Sequence, residues 1–224
     1  MLKVGLIVGS TRPNRFADTP VQWLVEGASA RHDLQLAVLD LREYRLPFFN
    51  EPASPAYTGG VYTQPEAEAW RKRIGEFDAF IATVAEYNHG PTAVLKNAFD
   101  SAFLEWQRKP IAFVGYGGVG GARAIETLRG AVIELQMAPI RHEVNIAMEP
   151  YLGVVQNGRS LNDYGYLVQS REAMFDHLVW WGEALKAARQ NAAAASFTPA
   201  PIHPARLTPT NRQAKTAATG AAYE

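Results

Sequence analysis

The chain has no cysteine among its 224 residues. That excludes disulfides, thiolate nucleophiles and any zinc or iron–sulfur site held by Cys. It also lacks an excess of charge, with 22 Lys and Arg against 22 Asp and Glu. No strong overall field draws it toward nucleic acid or an anionic membrane, and neither is an expected partner. No apolar run approaches the ~20 residues needed to span a bilayer. Val4 to Val8 is too short for the core of a signal peptide, and a turn follows it at once. The expected location is cytoplasmic. The five histidines, His32, His89, His142, His177 and His203, are scattered without metal-ligand spacing, so no metal site is expected.

What is present is an alternation of short apolar runs with longer amphipathic ones. Strands are expected at Leu2 to Gly9, Leu34 to Leu39, Ala79 to Val84, Ile111 to Gly115 and Ala138 to Ala147. Helices are expected at Phe16 to Ala30, Pro65 to Gly75, Pro91 to Ala102, Gly121 to Met137 and Asp163 to about Arg189. Tyr44 to Tyr62 and Glu149 to Asn162 read as loop and connector. Five strands, each followed by a helix, imply an α/β fold: one parallel sheet with helices on both faces. Ligands of such sheets bind beyond the carboxyl ends of the strands. Three loops are thereby singled out: residues 9–15, 84–91 and 115–121. The expected domain is 1–190. Residues 191–224, rich in Ala, Pro and Thr, read as a flexible tail or as a segment that wraps a partner subunit.

The first loop carries Ser10, Thr11, Arg12 and Arg15 between a strand end and a helix start. Unpaired backbone N–H groups and the helix dipole favour an anion there, and arginines can clamp phosphate oxygens. No Gly-Lys-Ser/Thr follows, so this is not a Walker A loop. The alternative is a Ser/Thr N-cap with two solvated arginines. The second loop, Ala85-Glu86-Tyr87-Asn88-His89-Gly90-Pro91, combines an aromatic face with amide donors, which suits a flat heteroaromatic ligand. His89 as an acid/base group competes with His89 as an ordinary hydrogen-bonded loop residue.

The third loop contains a literal G-x-G-x-x-G at Gly115, Gly117 and Gly120, with Glu143 at about the distance of a Rossmann acid. A dinucleotide site is nevertheless rejected. Only one strand follows, too few for a second βαβαβ half, and Glu143 falls inside that expected strand. The glycines instead let backbone amides approach a planar ring beside Tyr116, or else form a tight strand-to-helix turn with close packing.

Taken together, Gly9-Ser10-Thr11-Arg12-x-x-Arg15, Glu86-Tyr87-Asn88 with Leu95-Lys96-Asn97-Ala98-x-Asp100, and Tyr116-Gly117-Gly118-x-Gly120-Gly121-x-Arg123-Ala124 resemble the NADPH-dependent FMN reductase family. Leu46-Pro47-Phe48-Phe49-Asn50-Glu51-Pro52 and Trp180-Trp181-x-x-Ala184-Leu185-Lys186 extend the resemblance over about residues 1–190. It implies a flavodoxin-like three-layer sandwich with strand order 2-1-3-4-5, non-covalent FMN, and NADPH or NADH as co-substrate. It implies an oxidoreductase acting on a small acceptor: free flavin, a quinone, an azo or nitro compound or a metal oxyanion. A homodimer or homotetramer is implied as well. Ser10, Arg12 and Arg15 would hold the FMN phosphate, with Thr11 and Phe16 also among the cofactor-binding residues. Ala85, Glu86, Tyr87 and Asn88 would line the isoalloxazine and ribityl chain, and Tyr116, Gly117 and Gly118 would meet the ring's pyrimidine edge. No side chain is implied as catalytic, because the flavin carries the chemistry. The chain departs from the family at Ala85, Gly90 and Thr92-Ala93, where Pro, Ser and Pro-Gly are usual. The rival readings are a flavodoxin-type electron carrier without NAD(P)H turnover, disfavoured by the neutral charge, and a family-like regulatory subunit that has lost flavin.

Overall fold

The strand β1 (Leu2–Val8) shows how the sheet is made. Leu2, Val4, Leu6 and Val8 are buried in one apolar cluster and Ile7 in another, as a period of two requires for a strand covered on both faces. In a computed structural model, which describes residues 1–194, β2 (Leu34–Asp40), β3 (Ala79–Ala85) and β4 (Pro110–Tyr116) run parallel to it. With β5 (Ala138–Pro139) at the edge, the order is β2-β1-β3-β4-β5, as the resemblance implied. Every residue of β3 and of β4 is buried.

Two layers of helix cover the sheet. On one face lie α1 (Asp18–Ser29) and α6 (Gly165–Ala194), contributing Trp23, Leu24, Met174, Phe175 and Leu178 to the first cluster. On the other lie α2 (Pro65–Gly75), α3 (Ala93–Asp100) and α4 (Ala122–Glu134), with Trp70, Phe99, Ile125 and Leu128. Burying each such side chain contributes about 1.5–3 kcal/mol. The chain is thus a flavodoxin-like three-layer sandwich.

Two expectations need correction. The fifth strand is not continuous. Two short segments, β5 (Ala138–Pro139) and β6 (Val144–Ile146), both pair with β4. Pro139 faces Ile111 and Val144 faces Val114, so five steps along one strand oppose three along the other. The two surplus residues bulge from the edge. Glu143 lies in that bulge rather than mid-strand, and pairs with Arg129 of α4 at 2.6 Å. Nor is 149–162 a plain connector. It contains α5 (Met148–Asn157), which starts with Pro150 in its first turn and stops at Gly158, φ 62°. Further along, α6 runs past the expected boundary at 190. The expected tail, from residue 195 onward, lies outside the described residues.

Candidate functional site

The three loops meet at the carboxyl ends of β1, β3 and β4 because tight backbone contacts force them together. A Cβ on Gly9 would collide with the Thr83 carbonyl oxygen of β3. The Gly9 N–H donates to Thr83 Oγ1 at 3.0 Å, and its carbonyl accepts from Thr92 Oγ1 at 2.5 Å. Thr92 is also the N-cap of α3, accepting from the Leu95 N–H at 3.2 Å. One buried hydroxyl thus ties the first loop to the second, at a place where the family usually has proline.

The second loop is a two-residue hairpin. Tyr87 and Gly90 exchange backbone hydrogen bonds of 2.9 and 3.0 Å across Asn88 (φ 51°) and His89 (φ 70°), the left-handed pair of a type I′ turn. Glu86 turns back to α4. Its carboxylate, 4% exposed, pairs with Arg123 and accepts from the Arg123 N–H at 3.3 Å, in the first turn of the helix. Arg123 also reaches His89 Nε2 at 2.8 Å. In the third loop Gly117, Gly120 and Gly121 all have positive φ (144°, 68° and 75°), a path that side chains resist.

Between the loops lies a cavity of about 300 Å³, within the range of small-ligand sites. The structure brings nine of the expected residues to its wall: Ser10, Arg12, Arg15, Phe16, Ala85, Glu86, Tyr87, Tyr116 and Gly117. Thr11, Asn88 and Gly118 belong to the same loops but do not line it. Asn14, Met148 and Tyr151 do, and were not expected. The last two come from α5, whose Pro150 and Gly158 were the available signal. Phe16 stands 5.3 Å from the Tyr116 ring and 4.7 Å from Tyr151, forming an aromatic wall.

The two arginines of the first loop differ. Arg12 is exposed, lies 6.0 Å over the Tyr87 ring and joins no ion pair among the described residues. The Arg15 side chain is 4% exposed and bound to Asp40 by two hydrogen bonds, 2.7 and 2.5 Å, and to Asp18 at 2.8 Å. The Asp40 bond raises the Arg15 pKa against the cost of burial. Burial also opposes the Asp40 charge, but the Arg15 bonds and the Arg42 N–H outweigh it and hold the carboxyl below its ordinary range. Burial, reinforced by Tyr87, pushes the Tyr116 hydroxyl well above the usual phenol range. It therefore stays protonated and can donate.

These features fit FMN. The Arg12 guanidinium, in no ion pair among the described residues, lines the cavity, and α1 starts just beyond Phe16 without a side-chain cap at Ala17. Aromatic rings and a glycine backbone able to approach a flat ring line it as well. Among the described residues no helix is long and apolar enough to cross a membrane, and no cluster of three potential metal ligands occurs.

Comparison with known proteins agrees. The sequence pattern of the NADPH-dependent FMN reductase family matches residues 2–150. An NAD(P)H-dependent FMN reductase of Schizosaccharomyces pombe is 33% identical over 139 residues, which are 61% of this chain and 70% of that protein. An NADPH:quinone oxidoreductase of Arabidopsis thaliana is 31% identical over 134 residues, 58% of this chain and 65% of that one. Among solved structures, the flavoenzyme NAD(P)H:(acceptor) oxidoreductase FerB of Paracoccus denitrificans superposes with a TM-score of 0.65 at 23% identity, covering 82% of this chain and 98% of FerB; it shares the fold. With the sequence match running from β1 to the first turn of α5, and the cavity assembled from the loops inside that span, the chain belongs to the NADPH-dependent FMN reductase family.

Proposed function

We propose that the chain binds FMN in this cavity and is an oxidoreductase that takes reducing equivalents from NAD(P)H and delivers them to a small acceptor. Free flavin and quinone head the acceptor classes, followed by azo and nitro compounds and metal oxyanions. The observation that carries the reading is the cavity's mixed lining: the Arg12 guanidinium, in no ion pair among the described residues and 6.0 Å over the Tyr87 ring, together with the Phe16, Tyr116 and Tyr151 rings and the Gly117 backbone. Bound FMN supplies the redox chemistry.

The chain's own residues bind and orient. Arg12, Ser10 and the start of α1 hold the phosphate end. The rings of Phe16, Tyr87, Tyr116 and Tyr151 keep water from the apolar part of the ligand. The Tyr116 hydroxyl serves as a donor, because burial keeps its proton in place. The Glu86 carboxylate, committed to Arg123 and the α4 N-terminus, holds the loop rather than moving a proton. Asn88, Thr11 and Gly118 contribute through loop backbone.

A cytoplasmic location and a homodimer or homotetramer complete the reading. The oligomer is supported by large apolar side chains left exposed, among them Phe48 (78%) and Trp180 (66%). A flavodoxin-type carrier remains the alternative; the sequence relatives are named as FMN reductases and quinone oxidoreductases.

The test is an absorbance spectrum of the protein incubated with FMN and desalted, before and after NADPH is added under nitrogen. Retained bands near ~375 and ~450 nm that bleach with NADPH support the reading, since these bands belong to the oxidised flavin. Bands that persist point to the carrier. Protein that retains no flavin overturns both.

A further inference from the structure

Arg15 lines the cavity, yet its donors are committed within the protein. A guanidinium carries five N–H donors. Here Nε donates to Asp18 at 2.8 Å, and Nη1 to the Ser10 carbonyl at 2.5 Å and to Asp40 Oδ1 at 2.7 Å. Nη2 meets Asp40 Oδ2 at 2.5 Å and Asp18 at 2.6 Å. Four of the five donors make hydrogen bonds, Nη2 also stands in the Asp18 ion pair, and the side chain is 4% exposed.

Asp40 does more than neutralise Arg15. It is the last residue of β2 and does not line the cavity. Its Oδ1 also accepts the Arg42 N–H at 3.0 Å, and the Arg42 side chain donates to the Arg12 carbonyl. The carbonyls of Ser10 and Arg12 are therefore both held by arginines that Asp40 holds. In a planar trans peptide the N–H points opposite to the carbonyl, so pinning the Ser10 carbonyl also aims the Thr11 N–H. The Arg12 carbonyl precedes Pro13, whose ring locks φ, so pinning it sets the chain on the far side of Arg12. The loop is fixed on both sides of Arg12, and the Arg12 side chain remains the free cation.

We infer that Asp40 is a positioning residue for the cofactor's phosphate: through Arg15 and Arg42 it fixes the loop that distinguishes FMN from riboflavin, without touching either. The inference rests on the reading that the FMN phosphate lies at this loop. Arg15, by the same geometry, is a strut of that loop and not a phosphate ligand.

The test is fluorescence titration of the flavin-free protein with FMN and, separately, with riboflavin, in parallel with thermal unfolding. The unsubstituted protein is expected to prefer FMN. Asp40→Asn is expected to lose about 10- to 100-fold in FMN affinity, the scale of a lost charge-assisted contact, with riboflavin affinity unchanged. Arg42→Met leaves the Asp40–Arg15 pair intact and frees only the Arg12 carbonyl. It is expected to lose part of the FMN preference, and it serves if Asp40→Asn does not fold. Asp40→Ala and Arg15→Ala together are expected to cost no more than Asp40→Ala alone. An unchanged FMN-to-riboflavin ratio in both Asp40→Asn and Arg42→Met overturns the inference. So does an equal loss for the two flavins, which marks a purely structural role. Tighter FMN binding in Asp40→Ala also overturns it, because a released Arg15 would then be a phosphate ligand. An unsubstituted protein that binds FMN no better than riboflavin removes the phosphate placement itself, and is distinguished by needing no variant.

Discussion

The Glu86 carboxylate, nearly sealed from solvent, closes the second site loop onto α4 by pairing with Arg123, which donates to no other carboxylate among the described residues. The contact spans 37 residues of sequence and joins the ends of two adjacent strands. Glu86→Gln removes the charge while keeping the shape. It is expected to cost about 1–3 kcal/mol of stability, because Arg123 loses its partner and the helix start loses an anion. Denaturant unfolding checks this. FMN affinity should fall with it, since Tyr87 hangs from the same loop.

Arg12 differs from Arg15 in being free. Arg12→Ala should therefore leave the unfolding midpoint in place while weakening FMN about 10- to 100-fold, a loss of one charge-assisted contact. Riboflavin binding should not change. Titrating both flavins decides it, and a drop in stability without loss of FMN affinity would contradict the assignment.

Tyr151 lies on a helix that the sequence pattern left unread, 4.7 Å from Phe16. Tyr151→Ala should weaken FMN and riboflavin alike, about 2- to 10-fold, the worth of an aromatic contact. Equal loss for the two ligands is the mark of a wall residue and is opposite to the signature expected for Arg12.

A Cβ on Gly115 would strike the Gly120 carbonyl oxygen and approach Ile125 Cδ1 at 2.8 Å. Backbone on one side of the clash cannot yield as a side chain would. Gly115→Ala is expected to lose more than about 2 kcal/mol, read by thermal or denaturant unfolding. Gly130→Ala, with nothing within 4 Å of its new methyl, is the control and should be neutral or slightly stabilising in helix α4.

Far from the site, Lys109 donates to the Ile74 carbonyl at 3.2 Å, at the end of α2, and is buried. Burial, with the charge of Arg189, lowers its pKa from an ordinary 10.5 to about 8, although Asp78 and Glu105 pull the other way. Between these values the unfolded chain holds a proton that the folded one has lost, so stability should rise with pH across that window. The full rise is on the order of 3 kcal/mol. Above about pH 10 the raised tyrosines act in the opposite direction, because the unfolded state then loses protons first. Denaturant unfolding of the protein and of Lys109→Met at several pH values isolates the lysine: the difference between them should close as pH rises through the window.

The first four strands, the helices other than α5 and the three site loops were legible because their signals are local. Apolar runs bounded by Pro and Gly mark buried strands, Pro65 opens α2 where expected, and the glycines at 117, 120 and 121 occupy backbone that needs them. The order of the motifs was enough to place Ser10, Arg12, Tyr87, Tyr116 and Gly117 around one cavity. The split of the last strand was not legible, because it depends on the register against β4. Nor was the difference between the two arginines. Both follow the same strand and carry the same charge, so the sequence by itself determined only that two cations stand beside a helix start. Which of them is free was decided by the pairing of β1 with β2, where Val8 lies opposite Asp40 and a carboxylate 25 residues away arrives within hydrogen-bond reach of Arg15. A charge pair of that kind depends on distances of a few ångströms, and only the packed sheet sets those.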